Sequence, residues 1–221
     1  MMKNKKYDAV VFDLDGTLLN TLEDLMDSVN YALSGLGMKE RSYDEIRHFV
    51  GNGVQRLMEL SVPEGKANPE FDKAFAMFKE HYLVHCNDKT DLYPGILELL
   101  AALKREGFQM AIVSNKYYEG VQALKEQYFK EYLSVAIGER EGICKKPAPD
   151  TVLAALKELG ISKERAVYVG DSEVDIATAA NTGMDCIVVG WGFRTREEQE
   201  EAGGKVFVEQ PMELMELLYE K

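Results

Sequence analysis

The chain has 221 residues, 46% of them hydrophobic, and 26 Lys and Arg against 38 Asp and Glu give it a formal net charge of −12. That length and apolar fraction suit one large domain, or a core with a smaller insert, and argue against general disorder. So acidic a balance weighs against nonspecific binding to nucleic acid or an anionic membrane, although a bound cation can reverse the field locally and admit a phosphorylated ligand.

Lys3, Lys5 and Lys6 precede the first apolar run, Ala9–Phe12. The run is too short for the core of a signal peptide or for a membrane span. The three cysteines, Cys86, Cys144 and Cys186, form no Cys-x-x-Cys pair, and their odd count fits a reducing compartment. The expectation is a soluble cytoplasmic protein, monomeric or homodimeric, with no nucleic-acid or membrane partner.

Ala9–Phe12 reads as a buried strand. Helical patterns follow at about Leu22–Leu33, Tyr43–Leu60 and Phe71–Val84, with no convincing strand among them. A plain crossover needs far fewer residues, so the spacing predicts a helical insert over 20–87 that returns near the turn signal Tyr93-Pro94-Gly95. Beyond it, apolar runs at Gln109–Val113, Val135–Ile137, Ala166–Val169, Cys186–Val189 and Val206–Val208 predict further strands. Helices are expected between them, among them Ile96–Arg105 stopped by Gly107 and Thr151–Leu159 stopped by Gly160. Glu197–Glu201 reads as a solvated helix face, and Met212–Leu218 as a core-facing terminal helix. Strand alternating with helix implies an α/β fold with a parallel sheet and right-handed crossovers, its core formed by 1–19 and 88–221.

Four stretches carry chemistry. Asp13 and Asp15 sit two apart at the end of the first strand, where extended backbone puts both on one side, and Gly16 lets the chain turn away. Ser114 and Asn115 follow the second strand, and a hydroxyl and an amide there can bind phosphate oxygens. Lys145-Lys146-Pro147 opens a rigid approach to the helix at Thr151, where a lysine can neutralise a phosphoryl group. Asp171 and Asp175 follow the fourth strand, four apart, a spacing that brings both to one face if a helix begins there. Carboxylates so placed suit Mg²⁺, which takes one or two of them and keeps several waters.

In this order, acid pair, hydroxyl, lysine, acid pair, the chain resembles the haloacid dehalogenase superfamily of phosphohydrolases along its whole length. Gly170–Arg194 is particularly similar to the phosphoglycolate phosphatase branch, and the insert is similar to that branch's helical cap. The resemblance implies a Rossmann-like parallel-sheet core with a cap inserted after the first strand. It further implies a Mg²⁺-dependent phosphatase acting on a small phosphorylated substrate such as 2-phosphoglycolate. Asp13 would be the nucleophile, forming an aspartyl-phosphate, and Asp15 the general acid and base. Mg²⁺ would be held by Asp13, the backbone carbonyl of Asp15 and Asp171, with Asp175 a ligand or a support. Thr17, Ser114, Asn115 and Lys146 would bind the phosphoryl group, Lys146 being preferred to Lys145 because the family lysine directly precedes the proline.

Gly51-Asn52-Gly53 with Arg56 resembles the cap loop that selects substrate in related enzymes; the alternative is a flexible break between helices. His81 and His85, with Cys86 beside them, have metal-pair spacing but no evident fourth ligand. Trp191 and Phe193 line the cleft or pack in the core. Competing activities are a phosphomutase similar to β-phosphoglucomutase, and a pyrophosphatase or nucleotidase of the same fold. A dehalogenase is disfavoured because that branch does not use a second acid, and a non-catalytic binding protein because every motif residue is intact.

Overall fold

The structure, a computed structural model, describes residues 4–220, so Lys3 of the basic cluster lies outside the described residues. The chain forms two compact units, one of residues up to 18 with those from 92 onward, the other of residues 19–91.

The first unit is built on β1 (Ala9–Phe12), whose four residues are all buried. A continuous apolar strand is stable only where both faces are covered and both edges paired. The second unit carries β2 (Leu19–Asn20), α1 (Leu22–Gly35), α2 (Tyr43–Phe49), α3 (Val54–Ser61) and α4 (Phe71–His85), and the chain leaves it through β3 (Asp91–Leu92). Then come α5 (Ile96–Arg105), β4 (Gln109–Tyr117), α6 (Tyr118–Leu124), β5 (Val135–Glu139), α7 (Asp150–Leu159), β6 (Ala166–Gly170), α8 (Glu173–Thr182), β7 (Asp185–Val189), α9 (Arg196–Glu201), β8 (Phe207–Val208) and α10 (Leu214–Leu217). Six strands form one sheet in the order β5-β4-β1-β6-β7-β8, with parallel pairing throughout. The α/β fold expected from the resemblance is therefore present. Val152, Ala155 and Leu156 of α7 pack with Val11, Val113, Ile137 and Tyr168 of the sheet, and α7 stops at Gly160 in left-handed backbone.

Several expected elements differ in extent. The pattern over Tyr43–Leu60 divides into α2 and α3, because Val50 is extended and Gly51 and Gly53 have φ of 126° and 83°. The second strand continues past Val113 to Tyr117, so Ser114 and Asn115 lie in β4 rather than after it. The terminal helix is shorter than Met212–Leu218, a 3₁₀ turn at Pro211–Glu213 preceding α10. The second unit spans 19–91 where the sequence pattern set 20–87. Residues 88–91 are tied to α1 through the buried carboxylate of Asp24, which accepts from the backbone N–H of Lys89 and Thr90 and from the Thr90 hydroxyl at 2.7–3.2 Å.

Among the described residues no helix is long and apolar enough to cross a membrane. Among the described residues the three cysteines form no disulfide. On α4, His81 stacks on Tyr31 and meets His85 in a tilted ring contact, and His85 Nδ1 lies 2.7 Å from Asp88.

Candidate active site

The parallel sheet sends the C-terminal ends of β1, β4 and β6 to one edge, the place where open α/β sheets hold ligands. Asp13 follows β1, and its backbone N–H is bonded to Val169 of β6. Gly16 turns the chain with φ of 90°. A side chain there would meet the Asp171 carboxylate at 2.6–2.8 Å, and one at Gly192 would meet Asp171 Cβ at 2.3 Å. Two glycines thus leave just the room that Asp171 fills.

Asp13, Asp171 and Asp175 form a buried group whose ligand oxygens all lie within 4.8 Å of one another, the only cluster of its kind among the described residues. Lys146 Nζ sits between two of them, 2.7 Å from Asp13 Oδ1 and 2.8 Å from Asp175 Oδ1. Lys145, its neighbour, is exposed. Asp175 also accepts from Tyr168 Oη at 2.9 Å, Ser172 N at 3.1 Å and Ser172 Oγ at 2.6 Å. Asp171 accepts from the backbone N–H of Phe193 at 2.7 Å and makes a long 3.5 Å contact with Thr17 Oγ1.

The relation between Asp171 and Asp175 differs from the expected shared helix face. α8 begins at Glu173, with Ser172 as its N-cap and Asp175 as the reciprocal partner in the capping box. Asp171 precedes the helix altogether. The two acids meet because the cap folds Asp175 back over the loop.

Burial and mutual repulsion set the electrostatics. Burial first, then the charge of Asp175, pushes the Asp13 carboxyl well above the usual carboxylate range, against the pull of Lys146. The same two causes raise Asp171 to about 7, even with the Phe193 N–H opposing them. Burial would raise Asp175 too, but Lys146 and the hydrogen bonds from Ser172 and Tyr168 outweigh it and hold Asp175 below its ordinary value. Burial works against the Lys146 ammonium, and its two carboxylate partners more than restore it. Ionised together, three carboxylates against the Lys146 ammonium would carry surplus negative charge in a buried site, which is why Asp13 and Asp171 are pushed up. Such a cluster is costly alone and favourable around a cation, and an all-oxygen donor set is the kind that hard divalent cations take.

Asp15 stands apart from this group. Its Oδ1 accepts from Lys116 Nζ at 3.0 Å, and Ser114 Oγ lies 3.5 Å from its Oδ2. The strand explains this. Ser114 and Lys116 are two apart on β4 and project to one side, whereas Asn115 projects to the other. The Asn115 side chain is engaged by the Lys146 backbone: its Oδ1 accepts from Lys146 N at 2.8 Å and its Nδ2 donates to Lys146 O at 3.0 Å. Its amide imitates a neighbouring strand and fixes the Lys146 loop. The register of β4 against β5 shifts between Val113 and Tyr117, where these three residues sit.

Lys116, Tyr168 and the Phe193 N–H were not singled out for these contacts in the sequence. Lys116 directly follows the Ser-Asn signal, the one clue available. Trp191 donates through Nε1 to Thr17 O at 3.0 Å, and Phe193 is buried. Gly51, Asn52 and Gly53 form the half-buried break between α2 and α3, and Arg56 is exposed and paired with Glu59 at 3.2 Å. His81 and His85 belong to no group of three metal-ligating side chains among the described residues.

The haloacid dehalogenase-like hydrolase family matches residues 10–189 of the chain. A phosphoglycolate phosphatase of Mesorhizobium japonicum is 31% identical over 195 residues, 86% of each chain. One from Aquifex aeolicus is 34% identical over 186 residues, covering 84% of this chain and 85% of its own. A crystal structure from Lactobacillus delbrueckii subsp. bulgaricus, provisionally named a phosphoglycolate phosphatase, superposes with a TM-score of 0.92 at 36% identity and covers 98% of this chain and all of its own. The chain belongs to the haloacid dehalogenase-like hydrolases, among the phosphoric monoester hydrolases of the phosphoglycolate phosphatase-like branch.

Proposed function

We propose that the protein is a Mg²⁺-dependent phosphatase that hydrolyses small phosphomonoesters, 2-phosphoglycolate first among them, through an aspartyl-phosphate on Asp13. The observation that carries this reading is the division of labour between the two acids of the first motif. Asp13 sits in the buried carboxylate group against Lys146 at 2.7 Å, and Asp15 lies outside that group against Lys116. On this reading Asp13 works beside the cation and Asp15 exchanges the proton.

Asp13 and Asp171 would hold Mg²⁺, while Asp175, its oxygens occupied by four donors, would hold Lys146 in place. When bound, the ion supplies the positive charge that lets a carboxylate approach a phosphate dianion. Asp13 attacks phosphorus as the bond to the leaving oxygen breaks, and Asp15 gives that oxygen a proton. Asp15 then takes a proton from the water that attacks the aspartyl-phosphate, releasing phosphate and restoring Asp13. Lys146 neutralises phosphoryl charge through both steps. Thr17 and Ser114 offer hydroxyls to the phosphoryl oxygens.

The test is phosphate release from a panel of phosphomonoesters and pyrophosphate, with Mg²⁺ or with EDTA, beside Asp13→Asn. Release that needs the metal and falls by at least about a thousandfold in Asp13→Asn, as loss of a covalent nucleophile does, is the expected result. Metal-independent release, or release that survives in Asp13→Asn, contradicts the mechanism.

A further inference from the structure

The site holds two buried lysines with different partners. Lys146 is committed to Asp13 and Asp175, on the nucleophile's side. Lys116 is 3.0 Å from Asp15, and its side chain is only 5% exposed. On the reading above, Asp15 exchanges its proton with the leaving oxygen, so that oxygen comes within hydrogen-bond reach of Asp15. An ammonium 3.0 Å from Asp15 therefore lies within about 6 Å of the leaving oxygen, two hydrogen-bond lengths away. In 2-phosphoglycolate the carboxylate oxygens lie roughly 3 Å from the ester oxygen by ordinary bond lengths.

We infer that Lys116 is the specificity residue for the leaving group, and that it selects phosphomonoesters whose alcohol carries an anion on the adjoining carbon. This inference rests on the phosphatase reading and adds to it the part of the substrate that is not transferred. A neutral leaving group leaves the Lys116 ammonium on Asp15 Oδ1. An anionic one accepts a hydrogen bond from that ammonium, which turns from Asp15 to the substrate and leaves Oδ1 open to the proton it must deliver. No covalent bond changes in this exchange. Preference for the anion and release of the acid are one event. The β4 backbone supports it: Ser114 and Lys116 share a side, and Lys116 N donates to Ser114 Oγ at 3.1 Å, so the hydroxyl and the root of the lysine side chain are held together.

The experiment compares 2-phosphoglycolate with its uncharged carboxamide, which has nearly the same shape, on the full Mg²⁺-loaded enzyme. Wild type should favour the carboxylate in kcat/KM by about 10- to 100-fold, the range for a hydrogen bond to a charged group. Lys116→Met should bring the ratio close to one, chiefly by loss on the carboxylate, and Lys116→Arg should keep most of the preference. A wild type without preference overturns the inference. So does a Lys116→Met variant that loses both substrates equally, which would make Lys116 a positioner of Asp15 alone, or one that keeps the wild-type ratio. Binding of the same pair to Asp13→Asn, measured by calorimetry, reads the preference without turnover. A charge preference there that depends on Lys116, with no phosphate release from wild type, would remove the phosphatase reading and leave the anion subsite standing.

Discussion

A carboxylate that already accepts four hydrogen bonds has little left to give a metal, and Asp175 is in that position, whereas Asp171 accepts one short bond from Phe193 N. The two acids should therefore respond oppositely to mutation. Asp175→Ala strips the α8 cap and one counter-ion from buried Lys146, and should cost about 3–5 kcal/mol of stability, the range for breaking a buried pair. Asp171→Asn removes one of the buried carboxylates and keeps the Phe193 bond. The metal-free fold should be as stable as wild type or more so, and Mg²⁺ should no longer raise its melting temperature. Denaturant midpoints and melting curves with and without Mg²⁺ separate the two. Both acids were legible in the sequence, but not the cap that joins them, since spacing alone suggests a helix face. Tyr168 was hidden for a different reason. Inside a buried β-branched strand an aromatic ring reads as core, and nothing in the pattern shows that its hydroxyl meets Asp175. The Phe193 contact is made by backbone, so no side-chain signal exists for it.

Among the elements, β4 and the turn after β1 do the most to aim the site. The register shift in β4 falls where Ser114, Asn115 and Lys116 lie, and the strand's alternation sends Asn115 to the Lys146 backbone. Asn115→Ala leaves the Lys146 N–H and C=O without these partners. It should cost about 1–3 kcal/mol and, on the proposed mechanism, lower kcat more than it raises KM, because the lysine it positions would act on the reacting phosphoryl group. Stopped assays over a substrate range, with a denaturant curve, check both. Gly16→Ala forces φ of 90° on a side-chain residue and drives Cβ into the Asp171 carboxylate. A loss of about 1–3 kcal/mol is expected, with weaker Mg²⁺ dependence of phosphate release. The sequence showed the strand and this turn clearly. It showed β4 as too short, because an apolar run marks where a strand is buried in hydrocarbon and not where its backbone pairing ends. It likewise ran α2 and α3 together, since apolar periodicity continues across Gly51–Gly53 while the backbone does not.

At the scale of the whole molecule, the buried carboxylate group would make a bound cation part of the stability on the proposed reading. Mg²⁺ at one hundred times its dissociation constant should add about 2.7 kcal/mol, seen as a rise in melting temperature that EDTA reverses and Asp171→Asn abolishes. A melting temperature indifferent to Mg²⁺ would remove the metal from the site. The architecture was the most readable level, because strand-helix alternation with one long helical interruption leaves few topologies. The edges of the interruption were less so, since Asp24 ties Lys89 and Thr90 to α1 through hydrogen bonds that no pattern announces.

The chain leaves the first unit after Leu18 and is back at Leu92, and Tyr93 N donates to Leu18 O at 3.2 Å. Departure and return are thus neighbours, so the first unit closes on itself by a backbone hydrogen bond across the point where residues 19–91 are inserted. Asp13, Asp15, Lys116, Lys146, Asp171 and Asp175 all lie outside that insertion. An insertion whose two ends meet in this way leaves the strand order and pairing of the sheet independent of its length.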